Sequence, residues 1–417
     1  MAIQSNTELI ACHECDLLYR VEPLEPGARA SCRQCVAFLY RHIPDSLDRS
    51  LALHLSALML FLIANCFPFL ELKLGGRVEE NVLLSGSWAL HEMGMTDLGI
   101  LVFLTSAGFP GFAILGMLYL LIPARLGYRP PAMGLVYRLV YAITPWSLVG
   151  VFMLGVLIAF VKLQDIATVI AGTSVYALAV LLVVYSSARE NFDPRALWAL
   201  ARQPQPDAAE LTAPGARLLN CHICGLLHID KPGLGHCRRC DSSLHHRKDN
   251  SIHKTWALLL SAAILMVPAN VYPVMTVIRF GQGNPNTILG GITHLIEDGM
   301  WGLAMIVFVA SIVVPMVKLI LLSFLLISIH RKSVWRPRDR TLLYRITEVV
   351  GAWSMVDIFL VGLLSALVSL DALSTIRPGI GATFFGAVVV LTMFAAHSFD
   401  PRLIWDNSCA NTQMEAN

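Results

Sequence analysis

From Met300 to Ile329 the chain is predominantly apolar and carries a single charged residue, Lys318, well inside the run. A stretch of that length and character predicts a membrane-spanning helix. A lysine at its middle costs roughly 2.5–3.5 kcal/mol on insertion scales unless something pairs with it. The candidate counter-charge is Asp357, inside the next apolar run, Val349–Leu370. If the two runs are antiparallel neighbours, a rise of about 1.5 Å per residue puts both charges at nearly the same depth. Such a pair either fixes helix register or takes part in transport or coupling.

Charged residues make up only 14% of the chain and hydrophobic ones 56%. With a mean hydropathy of +0.62 this places it among polytopic membrane proteins. Eight spans are expected. The first half gives Leu51–Leu70, Leu98–Ala124, Leu139–Val161 and Ile166–Ala188; the second gives Thr255–Ile278, Met300–Ile329, Val349–Leu370 and Pro378–Phe399. Only short turns, around Lys162–Asp165 and Asp371–Arg377, separate the third and fourth span of each half. Lysine and arginine concentrate in the N-terminal segment, in the loop with Arg125, Arg129 and Arg138, in the central hydrophilic segment and from Arg331 to Arg345. That bias assigns this side, with both termini, to the cytoplasm. The polar N-terminal residues, which include Cys12 and Cys15, predict no cleaved leader.

The chain is internally duplicated. Ala64-Asn65-Cys66-Phe67-Pro68 recurs as Ala269-Asn270-Val271-Tyr272-Pro273, 205 residues later. Asn81–Gly86 recurs as Asn286–Gly291 and Pro110 as Pro315 at the same shift. Trp146-Ser147 matches Trp353-Ser354, and Phe192-Asp193-Pro194-Arg195 matches Phe399-Asp400-Pro401-Arg402, both at 207. Each half contains an even number of spans, so the repeats are parallel. Lys318 aligns with Ala113 and Asp357 with Gly150, so neither charge has a charged counterpart. A coupled pair predicts this, because one buried charge without the other is costly. Ser311 and Ser354 share helix faces with the two charges, and Thr392 on the last span completes a candidate polar cluster. Each hydroxyl alone is also explained as an ordinary interhelical hydrogen bond. Lys162 and Asp165 lie at the outer rim of the third span, where snorkelling to the interface is the plainer account. The two outer loops read either as plain connections or as short β-hairpins, the latter being Leu70–Leu74, a turn at Gly75-Gly76 and a strand towards Leu84; then Thr276–Phe280, Gly281–Asn286 and Thr287–Leu289.

Eight of the ten cysteines form four Cys-x-x-Cys pairs in hydrophilic segments. Cys12 and Cys15 precede Cys32 and Cys35; Cys221 and Cys224 precede Cys237 and Cys240. Four thiolates so spaced predict a tetrahedral soft-metal site, zinc before iron, in a reducing compartment. With every ligand position filled, the two sites read as structural. Arg238, Arg239, His245, His246, Arg247 and Lys248 beside the second ribbon suit anionic headgroups or a partner better than nucleic acid. The fold class expected is an all-α polytopic membrane protein: two parallel four-helix membrane repeats, each preceded by a small zinc ribbon, with short outer β-hairpins. Its divisions are ribbon 1 (1–48), repeat 1 (49–190), linker and ribbon 2 (191–252), repeat 2 (253–400) and a tail (401–417).

These motifs together resemble the paraquat-inducible protein A family: two four-cysteine ribbons, each before a four-span block with an Ala-Asn-x-aromatic-Pro signature, plus Trp353–Asp357 and the two Phe-Asp-Pro-Arg segments. The resemblance implies an inner-membrane protein that partners a periplasmic MCE-domain (mammalian cell entry) protein, in a system that moves lipid between membranes. It implies that Ser311, Lys318, Ser354, Asp357 and Thr392 form a polar network of the second membrane half, and that Lys162 and Asp165 form another polar pair. It departs from the family at Gly150, where some relatives carry an acidic residue. No nucleotide-binding motif is visible, so an ATPase or other enzyme is not expected. Protonation of Asp357 beside Lys318 is the candidate energy coupling. The alternatives are a stand-alone secondary transporter for a small solute or ion, and a membrane metal or redox sensor.

Overall fold

The computed structural model describes residues 9–74, 77–164, 168–201, 211, 218–279, 282–297, 299–367 and 374–406. Two copies of one helical unit run through it at the spacing of the sequence repeat. In the first copy the helices are α1 (Ser46–Cys66), α2 (Ser85–Glu92), α3 (Thr96–Phe103), α4 (Phe109–Arg125), α5 (Met133–Ile143), α6 (Val149–Gln164), α7 (Thr173–Glu190) and α8 (Pro194–Trp198). In the second they are α9 (Ser251–Val271), α10 (Ile288–Glu297), α11 (Trp301–Phe308), α12 (Val314–His330), α13 (Pro337–Gly351), α14 (Val356–Leu367) and α15 (Ile380–Ser398). α3 and α4 are continuous through a π-turn at Leu104–Gly108, and α11 and α12 through one at Val309–Val313. The cause is local. Pro110 and Pro315 cannot donate to the carbonyl one turn back and crowd it, so the helix widens ahead of them. The third spans bend instead through 3₁₀ turns, Thr144–Trp146 and Ala352–Met355.

Seven helices among the described residues are long and apolar enough to cross a membrane, one fewer than expected. The eighth position is α7, which packs along α1 as α15 packs along α9. Its 18 residues end in Arg189-Glu190, which dilutes its hydropathy. It also begins later than Ile166, because 168–171 are in a strand.

That strand corrects the expected hairpins. β5 (Leu70–Leu74) and β6 (Arg77–Asn81) do form a hairpin, but β7 (Thr168–Ala171) joins β5 with Leu70 opposite Ala171, making a three-stranded sheet. In the second half β10 (Met275–Arg279) lies between β11 (Gln282–Asn286) and β12 (Ser374–Pro378). β12 comes from the segment expected to be a turn, Asp371–Arg377, and β7 from the expected start of the span Ile166–Ala188, where Thr168-Val169-Ile170 supplies the β-branched run that favours a strand. Thr287–Leu289 is no strand either; Thr287 precedes α10 and its Oγ1 accepts from Gly290 N at 3.2 Å. (Four shorter strands, β1 Leu9–Ala11 to β4 Phe38–Arg41, build the first ribbon, and β8 Leu218–Asn220 and β9 Leu227–Ile229 the second.)

The duplicated signatures fasten the first helix of each half to the last, at both ends. At the sheet end a Cβ on Gly172 would fall onto the Pro68 carbonyl, and one on Gly379 onto that of Pro273. Only glycine permits these approaches. At the ribbon end, Ser46 Oγ donates to Asn191 O at 2.9 Å and accepts from Asp193 N at 2.7 Å. Ser251 Oγ does the same with Ser398 O and Asp400 N, at 2.7 and 3.0 Å. Asp400, 1% exposed, is gripped by Arg402 through Nε at 3.0 Å and Nη2 at 2.9 Å. Burial alone would push the Asp400 carboxyl up; the Arg402 hydrogen bonds and charge outweigh it and hold it below the usual range. A carboxylate with a lowered folded-state pKa contributes stability that is full above its unfolded pKa of about 3.9 and is lost as pH falls through the folded value. Asp400→Asn is therefore expected to cost about 1.5–3 kcal/mol by weakening the hydrogen bonds to Arg402, which keeps Asp16 Oδ1 at 3.5 Å as a charged partner, and to flatten the acid limb of the stability curve. Denaturant unfolding in detergent between neutral and acid pH measures both.

Candidate functional site

Each cysteine group converges as its spacing predicts. Cys12–Cys35 and Cys15–Cys32 Sγ pairs are 3.5 Å apart; Cys221–Cys240 and Cys224–Cys237 are 3.4 and 3.5 Å apart. All four sulfurs of a group lie within 4.8 Å of one another. A tetrahedral ion with metal–sulfur bonds of about 2.3 Å needs sulfurs about 3.8 Å apart, so the cages fit one. The residue after the second cysteine of every pair is left-handed: Asp16, Val36, Gly225 and Asp241, with φ between 58 and 69°. This closes the knuckle, with Asp16 N donating to Cys12 O and Val36 N to Cys32 O, both at 2.9 Å. Further donors face the thiolates. Tyr19 Oη donates to Cys32 Sγ at 3.2 Å, and Ser242 Oγ lies 3.1 and 3.2 Å from Cys221 and Cys240.

The ribbons dock crosswise, which the sequence did not reveal. The first, at the start of the chain, packs with Leu322, Leu325, Leu326, Tyr344 and Trp405 of the second half. The second packs with Met117, Leu120, Met133, Tyr137 and Trp198 of the first half. Equivalent arginines, 207 residues apart, fasten them. Arg345 of α13 grips Glu14 and donates to Cys35 O at 2.7 Å; Arg138 of α5 donates to Asp241 O at 2.6 Å. Burial would raise the Glu14 carboxyl, but His13 and Arg345 hold it below the usual range. Arg247, one of the basic residues beside ribbon 2, pairs with Asp16 of ribbon 1 at 2.5 Å instead of facing solvent alone.

The second candidate centre lies inside the second half. Lys318, on α12, is only 3% exposed. Its side chain crosses the end of α13, where a Cβ on Gly351 would stand 2.5 Å from Nζ and 3.0 Å from Cε. Gly351 is thus the residue that makes room for the lysine, and sequence reasoning missed it; a glycine ending a span opposite a buried cation was the available signal. Among the described residues no hydrogen bond or ion pair of Lys318 Nζ is present. Ser354, in the 3₁₀ turn after Gly351, is 2% exposed and its Oγ has no partner there. Ser311 and Thr392, both buried, donate within their own helices, to Val307 O at 2.6 Å and Val389 O at 2.9 Å. The backbone of Asp357 stands in the first turn of α14, but its side chain lies outside the described residues, as do that of Lys162 and the whole of Asp165.

The first half keeps the frame without the charge. Ser106 sits in the π-turn as Ser311 does and donates to Val102 O at 2.7 Å. Ser147 Oγ is buried without a partner among the described residues, as is Ser354 Oγ. At the position of Lys318 stands Ala113, 1% exposed.

The sequence pattern of the family described as Paraquat-inducible protein A matches residues 47–202 and again 252–408. The chain is 33% identical over 403 residues to the Intermembrane transport protein PqiA of Escherichia coli K12, covering 95% of each. It is 32% identical over 397 residues to the Lipophilic envelope-spanning tunnel protein A of the same strain, covering 95% of this chain and 90% of that one. A protein of Haemophilus influenzae named Probable intermembrane transport protein is 27% identical over 409 residues, covering 95% of this chain and 96% of that one. No solved structure matches.

Replacing Cys12 and Cys15 by serine is expected to open the first cysteine cage and to free α13, not α5. Hydrogen exchange reads this directly: amides of Pro337–Gly351 gain exchange while those of Met133–Ile143 do not. Equal change in both helices would contradict crosswise docking.

Proposed function

We propose, from the premise that the chain belongs to the paraquat-inducible protein A family, that it passes phospholipid between an inner membrane and a periplasmic tunnel built by an MCE-domain partner. A role in intermembrane transport is what the names of its near-full-length relatives state of themselves. That match over 95% of the chain is the observation that carries the reading. The lipid cargo takes its support from the relative named for a lipophilic envelope-spanning tunnel, and from an apolar cavity at the sheet end of the second half. The ribbons and termini lie on the cytoplasmic side in this reading, and the sheets face the partner.

Zinc fills both cysteine cages. Four thiolates leave no open coordination position, so the ion stiffens the ribbons and supplies no chemistry. The working centre is Lys318 with Asp357, framed by Ser311, Ser354 and Thr392. A cation held in a low-dielectric interior with neutral described neighbours responds strongly to any nearby change of charge. In this scheme Asp357 takes up and releases a proton, and Lys318 moves off or onto it accordingly. Lys162 and Asp165 form a second polar pair at the outer rim of the first half.

Lys318→Met and Asp357→Asn are each expected to insert, keep both metal ions and lower lipid transfer about tenfold or more, a change of roughly 1.4 kcal/mol or greater. Transfer of labelled phospholipid between vesicles and purified partner measures it. Full transfer by either variant would remove the charges from the mechanism.

A further inference from the structure

We infer that the two halves form a rocker in which only one of two short outer helices, α2 or α10, is closed at a time, and that this structure shows α2 closed and α10 open. The sequence repeat supplies the comparison. Gly86 of α2 corresponds to Gly291 of α10, 205 residues later, and Gly155 of α6 corresponds to Gly362 of α14, 207 residues later. For α2 the contact is made, across to α14 of the second half. Gly86 is buried against α14, where a Cβ would stand 3.3 Å from Gly362 O, and Leu90 of α2 covers Gly362 with Cδ1 3.2 Å from its Cβ position. Both glycines needed for the equivalent contact are present, Gly291 in the second half and Gly155 in the first, yet a close approach of the two helices is not made there. A Cβ on Gly291 would meet nothing nearer than Met275 Cε at 4.0 Å. Gly155 is occupied instead by α14, with Phe359 Cβ 3.1 Å from its Cβ position.

Where α10 would close there is an apolar cavity of about 50 Å³, lined among others by Gly291, Leu295, Ile158 and Phe385, with Thr287 at its edge. The cavity is therefore bounded by α10 and α6, whose counterparts, α2 and α14, touch. At the centre lie Phe152 and Phe359, equivalent residues 207 apart, with ring centroids 5.2 Å apart and planes at 83°. An edge-to-face pair gives its two rings different roles, so equivalent residues there cannot be arranged symmetrically. The opposite arrangement would put Phe152 on Gly362, free Gly155 for α10 and release α2. α10 is built to move. It begins with Gly290-Gly291 where α2 has Ser85-Gly86, and each extra helical glycine weakens a helix by about 1 kcal/mol. Both short helices are followed by a left-handed glycine, Gly94 with φ +83° after α2 and Gly299 with φ +79° after α10, so each has a hinge on which to open or close. On the lipid-transfer reading above, on which this assignment of cargo rests, the crevice under the open helix is where a hydrocarbon chain enters, and closure expels it.

The test uses full-length protein with Leu295→Cys and Ile158→Cys in a Cys66→Ser background, in vesicles of phosphatidylethanolamine and phosphatidylglycerol. Mild oxidation is followed by mass spectrometry of the linked peptides. The crosslink is expected to form and to fall about tenfold when Gly291→Leu is added, because the larger side chain fits the open helix but blocks closure. It is expected to rise about fivefold with Gly86→Ala, which crowds the Gly362 carbonyl and favours the opposite state. Thermal unfolding confirms that each variant is folded. A yield that ignores both substitutions, or no crosslink at all, overturns the rocker. A responsive crosslink in protein that transfers no lipid leaves the rocker standing and removes only the cargo.

Discussion

Each half is closed by its first and last long helices lying against each other, and backbone-level contacts hold that closure at both ends. At one end a proline carbonyl reaches a glycine that has no side chain to repel it. At the other a serine hydroxyl joins the start of the first helix to the residues following the last. Neither contact tolerates much variation. Within a bilayer, where helix–helix association gains little from excluding water, small residues and hydrogen bonds of this kind carry the packing. The sheets, the bent third spans and the ribbons all take their places from that fixed pair.

Much of this was legible in the sequence because its signals are local and repeated. Apolar run length located the helices, and the Cys-x-x-Cys spacings located the cages. The duplication showed that whatever holds one half holds the other. What stayed hidden depends on contacts between distant segments. The third strand of each sheet lies in four or five residues that read as the start of a span, for β7, or as a turn, for β12, until β5 or β10 offers an edge. The room beside Lys318 depends on Gly351, and no pattern within α12 names it. The destination of each ribbon was invisible too, since Arg138 and Arg345 read as loop charges until the docked knuckles gave them acceptors.

The two halves differ where difference is costly to maintain. The second holds the buried cation, the additional glycine at the start of its short outer helix and the apolar cavity; the first holds alanine at the cation's position and a closed contact. Both keep the π-turn and the unpartnered serine. On the proposed scheme, the copy without the buried cation serves as the support against which the other moves. Phe152 and Phe359 meet where that support would be felt, linking α6 to α14 by a contact that equivalent residues cannot make equally.

The crossed ribbons bear on how such a chain arose. A single ribbon followed by four helices has its arginine and its knuckle in the same polypeptide, yet here each arginine reaches the knuckle of the other copy. An undoubled ancestor would satisfy these contacts as a two-fold dimer whose subunits exchanged ribbons. Gene fusion would then have turned an intersubunit embrace into an intramolecular one, freeing each copy to diverge without losing its mate.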